Sequence, residues 1–331
     1  MAFLKLMAIG GFSLVDLMVS ILLGMLLALG IVNIYLESTR NYVAEEDTAR
    51  IQENGRFAMN HLKRELMQAG FYGGHADVAR MPAVAVVDDC VGSGNWALDP
   101  GSPLEFINDF DSALVTQQGT EFDCLSAYSI MPGTDVFSLK RTAGEARVRG
   151  GVYREGSNAA QDRQWYLRIG NYGEQKSWFY SGTSGFPQES LGVSSVTDYW
   201  EFYTQIYFIR RYSIVPGDGI PTLCLAMLAR DGMDSECLVE GVEDLQLEFG
   251  VDTSGDGVPN KFMNQPAAID IERSVVARVS VLLRGIREIA GYTNSKSYVI
   301  GGKFIAAKND AYLRRVMTTT IQLRNARRPL L

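Results

Sequence analysis

Histidine is nearly absent from this 331-residue chain, which carries only His61 and His75. With so few, imidazole-based acid–base catalysis and histidine-ligated metal centres have almost nothing to draw on. Cysteine is sparse as well: Cys90, Cys124, Cys224 and Cys237 are the whole complement, and no two of them have the Cys-x-x-Cys spacing of zinc ribbons and dithiol motifs. A Gly-x-Ser-x-Gly elbow, a His-Glu-x-x-His helix, a P-loop and a dinucleotide fingerprint are also missing. The expectation is a protein that is not an enzyme. An excess of positive charge is lacking too, since the formal net charge is -7 and the basic residues are scattered. That argues against nucleic acid as a partner.

Long apolar runs are lacking everywhere except at one place near the start. There a leader with a single charge, Lys5, is followed by Gly10-Gly11-Phe12-Ser13-Leu14-Val15-Asp16 and then by an uncharged stretch from Leu17 to Leu36. As a helix this stretch spans about 30 Å, the thickness of a bilayer's hydrocarbon core. Asp16 lies four residues after Phe12 with apolar neighbours on both sides. A lone carboxylate in such surroundings costs on the order of 2.5–3.5 kcal/mol, so it calls for a partner. A secretory signal peptide is cut after its apolar region near small residues, whereas Gly11-Phe12 precedes the run. A cut at Gly11 would leave the helix on the mature chain with a new amine at Phe12, about one turn from Asp16.

Residues Gly11-Phe12-Ser13-Leu14-Val15-Asp16 and the helix after them resemble the class III signal of type IV pilins and type II secretion pseudopilins. The resemblance implies cleavage after Gly11 by a prepilin peptidase, N-methylation of Phe12, and pairing of Asp16 with the amino terminus of a neighbouring subunit. The family usually has glutamate at this position, so aspartate is one methylene shorter. An ordinary signal anchor carrying a stray acid is the plainer alternative.

From Ser38 to Ala69 the chain has no proline and many helix formers. Ile51, Ala58, Leu62, Leu66 and Ala69 recur at helical spacing, while Glu45, Glu46, Arg50, Glu53, Lys63, Arg64 and Glu65 supply a polar face. One helix from Ser13 to Ala69, stopped by Gly70, is expected. The stretches Ala49 to Ala58 and Leu66 to Phe71 resemble PilW-type minor pilins, as do Leu238 to Asn260 and Tyr312 to Asn325. The implied fold is α+β, a pilin-like long helix packed on an antiparallel β-sheet domain. Its implied division is residues 1–11 as leader, 12–36 as membrane and assembly half, 37–70 as amphipathic half and 71–331 as a periplasmic β-rich domain.

Within 71–331, Phe71 to Gly119 reads as loops and short strands. Strands are expected at Val136 to Leu139, Trp165 to Ile169, Trp178 to Tyr180, Phe202 to Tyr212 and Leu225 to Ala229. In Ser274 to Arg284 alternate residues Val275, Ala277, Val279, Val281 and Leu283 define a core face. Trp165, Trp178, Tyr199, Trp200, Phe202 and Tyr203 suit either a core or a sugar-binding surface, with the core the commoner use of aromatics in strands. An exported domain favours disulfides, and chain order suggests Cys90 with Cys124 and Cys224 with Cys237. This is one of three connectivities, and cytosolic free thiols or a metal site are the alternatives. Asp252, Ser254, Asp256 and Asn260 around Gly257 have the alternation of an oxygen-ligand Ca2+ loop, although Met263 stands where an EF-hand has glutamate. A plain Asp/Gly hairpin loop is the alternative. The Arg327-Arg328 tail reads as a solvated end.

Three functional readings follow. A PilW-type minor pilin would help start type IV pilus assembly and sit at the tip, with other minor pilins, the major pilin, the prepilin peptidase and the inner-membrane machinery as partners. It would span the inner membrane once before entering the fibre. A J-type pseudopilin of type II secretion is the second reading, and a helix-anchored periplasmic adhesin or calcium-binding module the third.

Overall fold

The computed structural model describes residues 13–90, 94–111, 116–117, 120–154, 164–182, 185–192, 194–230 and 232–325. Gly11, Phe12, Arg327 and Arg328 lie outside them. Helix α1 runs from Leu14–Gln68 without a break, which at 1.5 Å per residue is about 80 Å. It starts where Ser13 and Asp16 form a capping box and ends before Gly70, whose φ of 76° is left-handed. The Gly70 N–H donates to the Lys140 carbonyl and turns the chain onto the sheet.

The strands are β1 Leu104–Ile107, β2 Thr116–Gln117, β3 Thr120–Glu121, β4 Val136–Thr142, β5 Val148–Arg149, β6 Val152–Tyr153, β7 Gln164–Gly170, β8 Gln175–Ser181 and β9 Asp198–Arg210. There follow β10 Thr222–Leu228, β11 Met233–Glu240, β12 Val242–Val251, β13 Lys261–Met263, β14 Ser274–Arg284, β15 Tyr298–Ile300, β16 Lys303–Ile305 and β17 Arg314–Gln322, with a short helix α2, Ala268–Glu272, before β14. The first sheet has the order β1-β4-β9-β10-β11, and the β7–β8 hairpin adds on through β9. The second has the order β13-β12-β14-β17, antiparallel throughout. The fold is therefore a long apolar helix followed by antiparallel β structure, the α+β arrangement expected.

One core joins α1 to both sheets: Ile51, Ala58, Leu62 and Leu66 meet Tyr207 and Leu225 of the first and Val279, Val281 and Ile321 of the second. Gly55 permits the close approach, because a Cβ there would lie 2.5 Å from Met317 Sδ. Glu65 departs from the polar face assigned to it. It is buried, and its Oε2 lies 2.6 Å from the Arg141 guanidinium on β4, so the pair satisfies both charges where helix and sheet meet. On β14 the expected face is buried, but Ser280 and Leu282 of the opposite face are buried too, since β15 packs near this strand. Alternation alone shows one face and cannot report a later hairpin folding over the other.

A second cluster lies on the outer side of the first sheet and gathers Tyr72, Val78, Trp96, Phe110, Leu167, Trp200 and Phe208. The strand aromatics belong to the interior: Tyr199, Trp200 and Phe202 are buried and Trp178 meets Phe202 edge-on at 4.6 Å. Both disulfides take the pairing suggested by chain order. Cys90–Cys124 ties the irregular segment after α1 to itself, and Cys224–Cys237 links the adjacent strands β10 and β11.

Candidate functional site

The membrane-length half of α1 has no packing partner among the described residues. Every residue from Ser13 to Tyr42 is exposed, whereas the buried helix residues run from Asp47 to Leu66. The described residues contain one helix long and apolar enough to cross a membrane, and this half supplies that span. A continuous apolar surface of this length is not stable in water, so it requires lipid or other apolar helices. Gly24 and Gly30 have nothing within 4 Å of an added Cβ; no contact among the described residues demands them. Ser20, Gly24 and Ala28, spaced by four, put small side chains on one face, the arrangement that lets helix backbones approach in membranes. That spacing is plain in the sequence and is a signal beyond the Asp16 motif.

Asp16 sits at the outer end of this surface. Its Oδ2 accepts the Ser13 backbone N–H at 3.1 Å, and Ser13 Oγ accepts the Val15 N–H at 3.3 Å. The carboxylate thus has a local task that the motif did not reveal, satisfying an amide at the helix start and complementing the positive end of the helix dipole. Gly11 and Phe12, the residues of the expected cut, are outside the described residues.

The other half of α1 is pinned to the domain by polar contacts that fix its rotation. Asn54 donates to the Glu240 carbonyl at 3.1 Å, and His61 Nε2 lies 3.0 Å from the Tyr207 hydroxyl. Arg287 reaches Glu46 at 3.2 Å, and Asn325 donates to the Met67 carbonyl. Burial lowers the His61 imidazole below its ordinary value. Burial likewise raises the Asp47 carboxyl, against the pull of Arg287 and Arg50, where α1 enters the domain beneath Gly285. The exposed half is therefore carried by a helix that cannot turn on its own domain.

The Asp252 loop is held together by its own amides. Asp252 is buried; its Oδ1 accepts the Gly255 N–H at 2.6 Å and its Oδ2 the Gly257 N–H at 2.7 Å. Asn260 Oδ1 takes the Thr253 N–H at 2.8 Å, and Asp256 Oδ1 takes the Val258 N–H at 2.9 Å. The oxygens at ligand spacing on Asp252, Asp256 and Asn260 thus each accept hydrogen bonds from the loop's own amides. They cap a tight hairpin between β12 and β13. Titrating Ca2+ into the chain is expected to give no heat and no change in melting temperature. Asp252→Ala is expected to cost about 1.5–3 kcal/mol, the value of hydrogen bonds to a buried charge, and calorimetry of both proteins checks this.

No curated protein and no solved structure matches the chain. Residues 206–325, which run from within β9 through β17 and share nothing with the leader motif, match the family model PilW, described as Type IV Pilus-assembly protein W. Joined to the exposed apolar helix, that match supports a PilW-type type IV pilus protein.

Proposed function

We propose that this chain is a minor pilin, cut after Gly11, which joins other minor pilins to begin a type IV pilus and stays at its tip. The observation that carries this reading is the division of α1 into a half buried against its own domain and an apolar half with no cover. Lipid covers that half before assembly and neighbouring helices cover it afterwards. Both are apolar, so the exchange has a small net cost, and van der Waals packing at small residues such as Gly24 decides it. The β domain, held outside the membrane by the rigid lower part of α1, then selects lateral partners.

In this reading Asp16 exchanges a single amide donor for the ammonium of a neighbouring Phe12. An ion pair formed in a dry helix bundle is far stronger than the same pair in water, and a subunit lacking it would bury an uncompensated charge. Asn at position 16 can still accept from the Ser13 N–H but carries no charge. Asp16→Asn and Asp16→Ala are therefore both expected to cut the amount of this protein in sheared fibres at least tenfold, with the membrane level unchanged. Wild-type incorporation of Asp16→Asn would reduce Asp16 to a helix cap and remove the assembly role. Amino-terminal sequencing of the mature protein tests the cut directly: a chain still beginning at Met1 overturns the processing.

A further inference from the structure

The second sheet ends in a strand that nothing among the described residues guards. Sheet edges expose backbone donors and acceptors, and proteins ordinarily protect them with short strands, charges, proline or bulges. At the opposite edge of the same sheet β13 is only three residues long. In the first sheet, β1 has four residues, while β11 carries Asp234, Glu236 and Glu240 and pairs with β10 through a register irregularity. Among the described residues, the β17 edge from Val316 onward has none of these devices. It pairs with β14 over nine residues without a register shift, and from Val316 to Leu323 it has neither charge nor proline.

Its free hydrogen-bonding groups can be assigned. Gly285 donates to the Leu313 carbonyl and Leu323 to the Val275 carbonyl, so odd-numbered residues of this strand exchange bonds with β14. In an antiparallel ladder the residues between them point their N–H and C=O the other way. Val316, Thr318, Thr320 and Gln322 therefore present donors and acceptors along the open edge, and the Thr318, Thr320 and Gln322 side chains are exposed.

We propose that the β17 edge takes up an extended segment of a different polypeptide as a fifth strand of this sheet, and that this segment is β-branched in the middle and acidic at its ends. The charge pattern selects the occupant. Arg315 near the start of the strand and Arg324 just beyond its end are both exposed and have no carboxylate partner among the described residues. Beyond the strand, Arg324 and Asn325 line a crevice of about 490 Å3 together with Lys63, Met67 and Phe71, a place for an acidic end beside an apolar floor. Two copies of this chain paired edge to edge would put four guanidiniums along one seam with no carboxylate between them, and like charges across a ladder are destabilising. Backbone bonds supply the affinity and the end charges the selection, as in strand addition generally. The inference does not rest on processing at Gly11 or on the pilin reading.

The test uses the full chain in detergent and a labelled ten-residue probe of alternating threonine and valine with two glutamates at each end. Anisotropy is expected to show binding, at least tenfold weaker when lysines replace the glutamates. Thr318→Pro removes an outward N–H without touching a β14 bond and should weaken binding at least tenfold, whereas Thr318→Ala should not. Should the proline variant misfold, Thr320→Lys serves in its place. Amide exchange at Val316, Thr318, Thr320 and Gln322 should slow on binding, with their odd-numbered neighbours unchanged. No binding, unchanged binding by the proline or lysine variant, or slowing elsewhere than at these four amides overturns the proposal. So does dimerisation of the chain alone through this edge.

Discussion

Replacing Arg314 by methionine is expected to destabilise the β domain by about 3–5 kcal/mol, the usual loss when one member of a buried ion pair is removed. The Arg314 side chain is 2% exposed and grips two carboxylates at once. Its Nε is 2.6 Å from Glu243 Oε2, and its terminal nitrogens lie 2.5 and 2.6 Å from the two Asp310 oxygens. Lys308 adds a contact to Glu243. The cluster joins β12, the start of β17 and the loop before it, so losing the guanidinium leaves Glu243 buried beside a single, half-exposed lysine. Glu243→Gln added to the methionine variant should recover part of the loss, because the stranded charge is then gone. Urea unfolding measures both, and a loss under 1 kcal/mol would show that the network is not stabilising.

The same cluster gives the domain an acid limit. Burial by itself would raise the Glu243 carboxyl, but hydrogen bonds from Arg314 and Lys308 outweigh it and hold it below the ordinary glutamate value of 4.5. Hydrogen bonds from Arg314 hold Asp310 below 3.8. A carboxylate whose folded value is depressed adds stability above its unfolded value and loses it as pH falls through the folded one. Stability from this cluster is thus complete above about pH 5 and declines below about 4.5, and the Arg314→Met variant should show a flatter profile over that range.

Removing the Cys90–Cys124 bridge with paired alanines is expected to cost about 3–4 kcal/mol. The bridge closes a sequence separation of 34 residues, and among the described residues the segment it spans holds only β1 and fragments of strand and 3-10 helix. Few ladder bonds would remain to keep it ordered against Trp96, Phe110 and Phe122 in the outer cluster. Cys224–Cys237, with a separation of 13, joins strands already paired along their length, so its removal should cost less. Unfolding curves of the two double variants, with limited proteolysis between residues 83 and 130, compare them. A larger effect at Cys224–Cys237 would contradict the account.

Much of the architecture is legible in the residues because it depends on local periodicity. The helix limits follow from Ser13 and Gly70, which act on their own backbone, and the β14 limits follow from strict alternation bounded by Arg273 and Gly285. The disulfide pairing is also near-local, since each bridge closes a loop containing no other cysteine. Glu65 and Arg314 could not be placed in this way. Their burial is permitted by partners far along the chain, Arg141 and Glu243, and an isolated charge in a sequence looks like a solvated one. The Asp252 loop shows the same limit from the other side: oxygens at ligand spacing suit a cation or a ring of amides equally well until the turn is built.

The amino acids alone established that this protein carries an apolar rod with an acid near its end, because hydrophobicity over twenty residues and a charge within it are properties of composition. Only the folded chain decided that the second half of α1 is locked against two sheets while its apolar first half stays bare, and that β17 is an open edge among the described residues. Both depend on which strands meet, and strand order comes from contacts between residues distant in sequence, which no local pattern encodes.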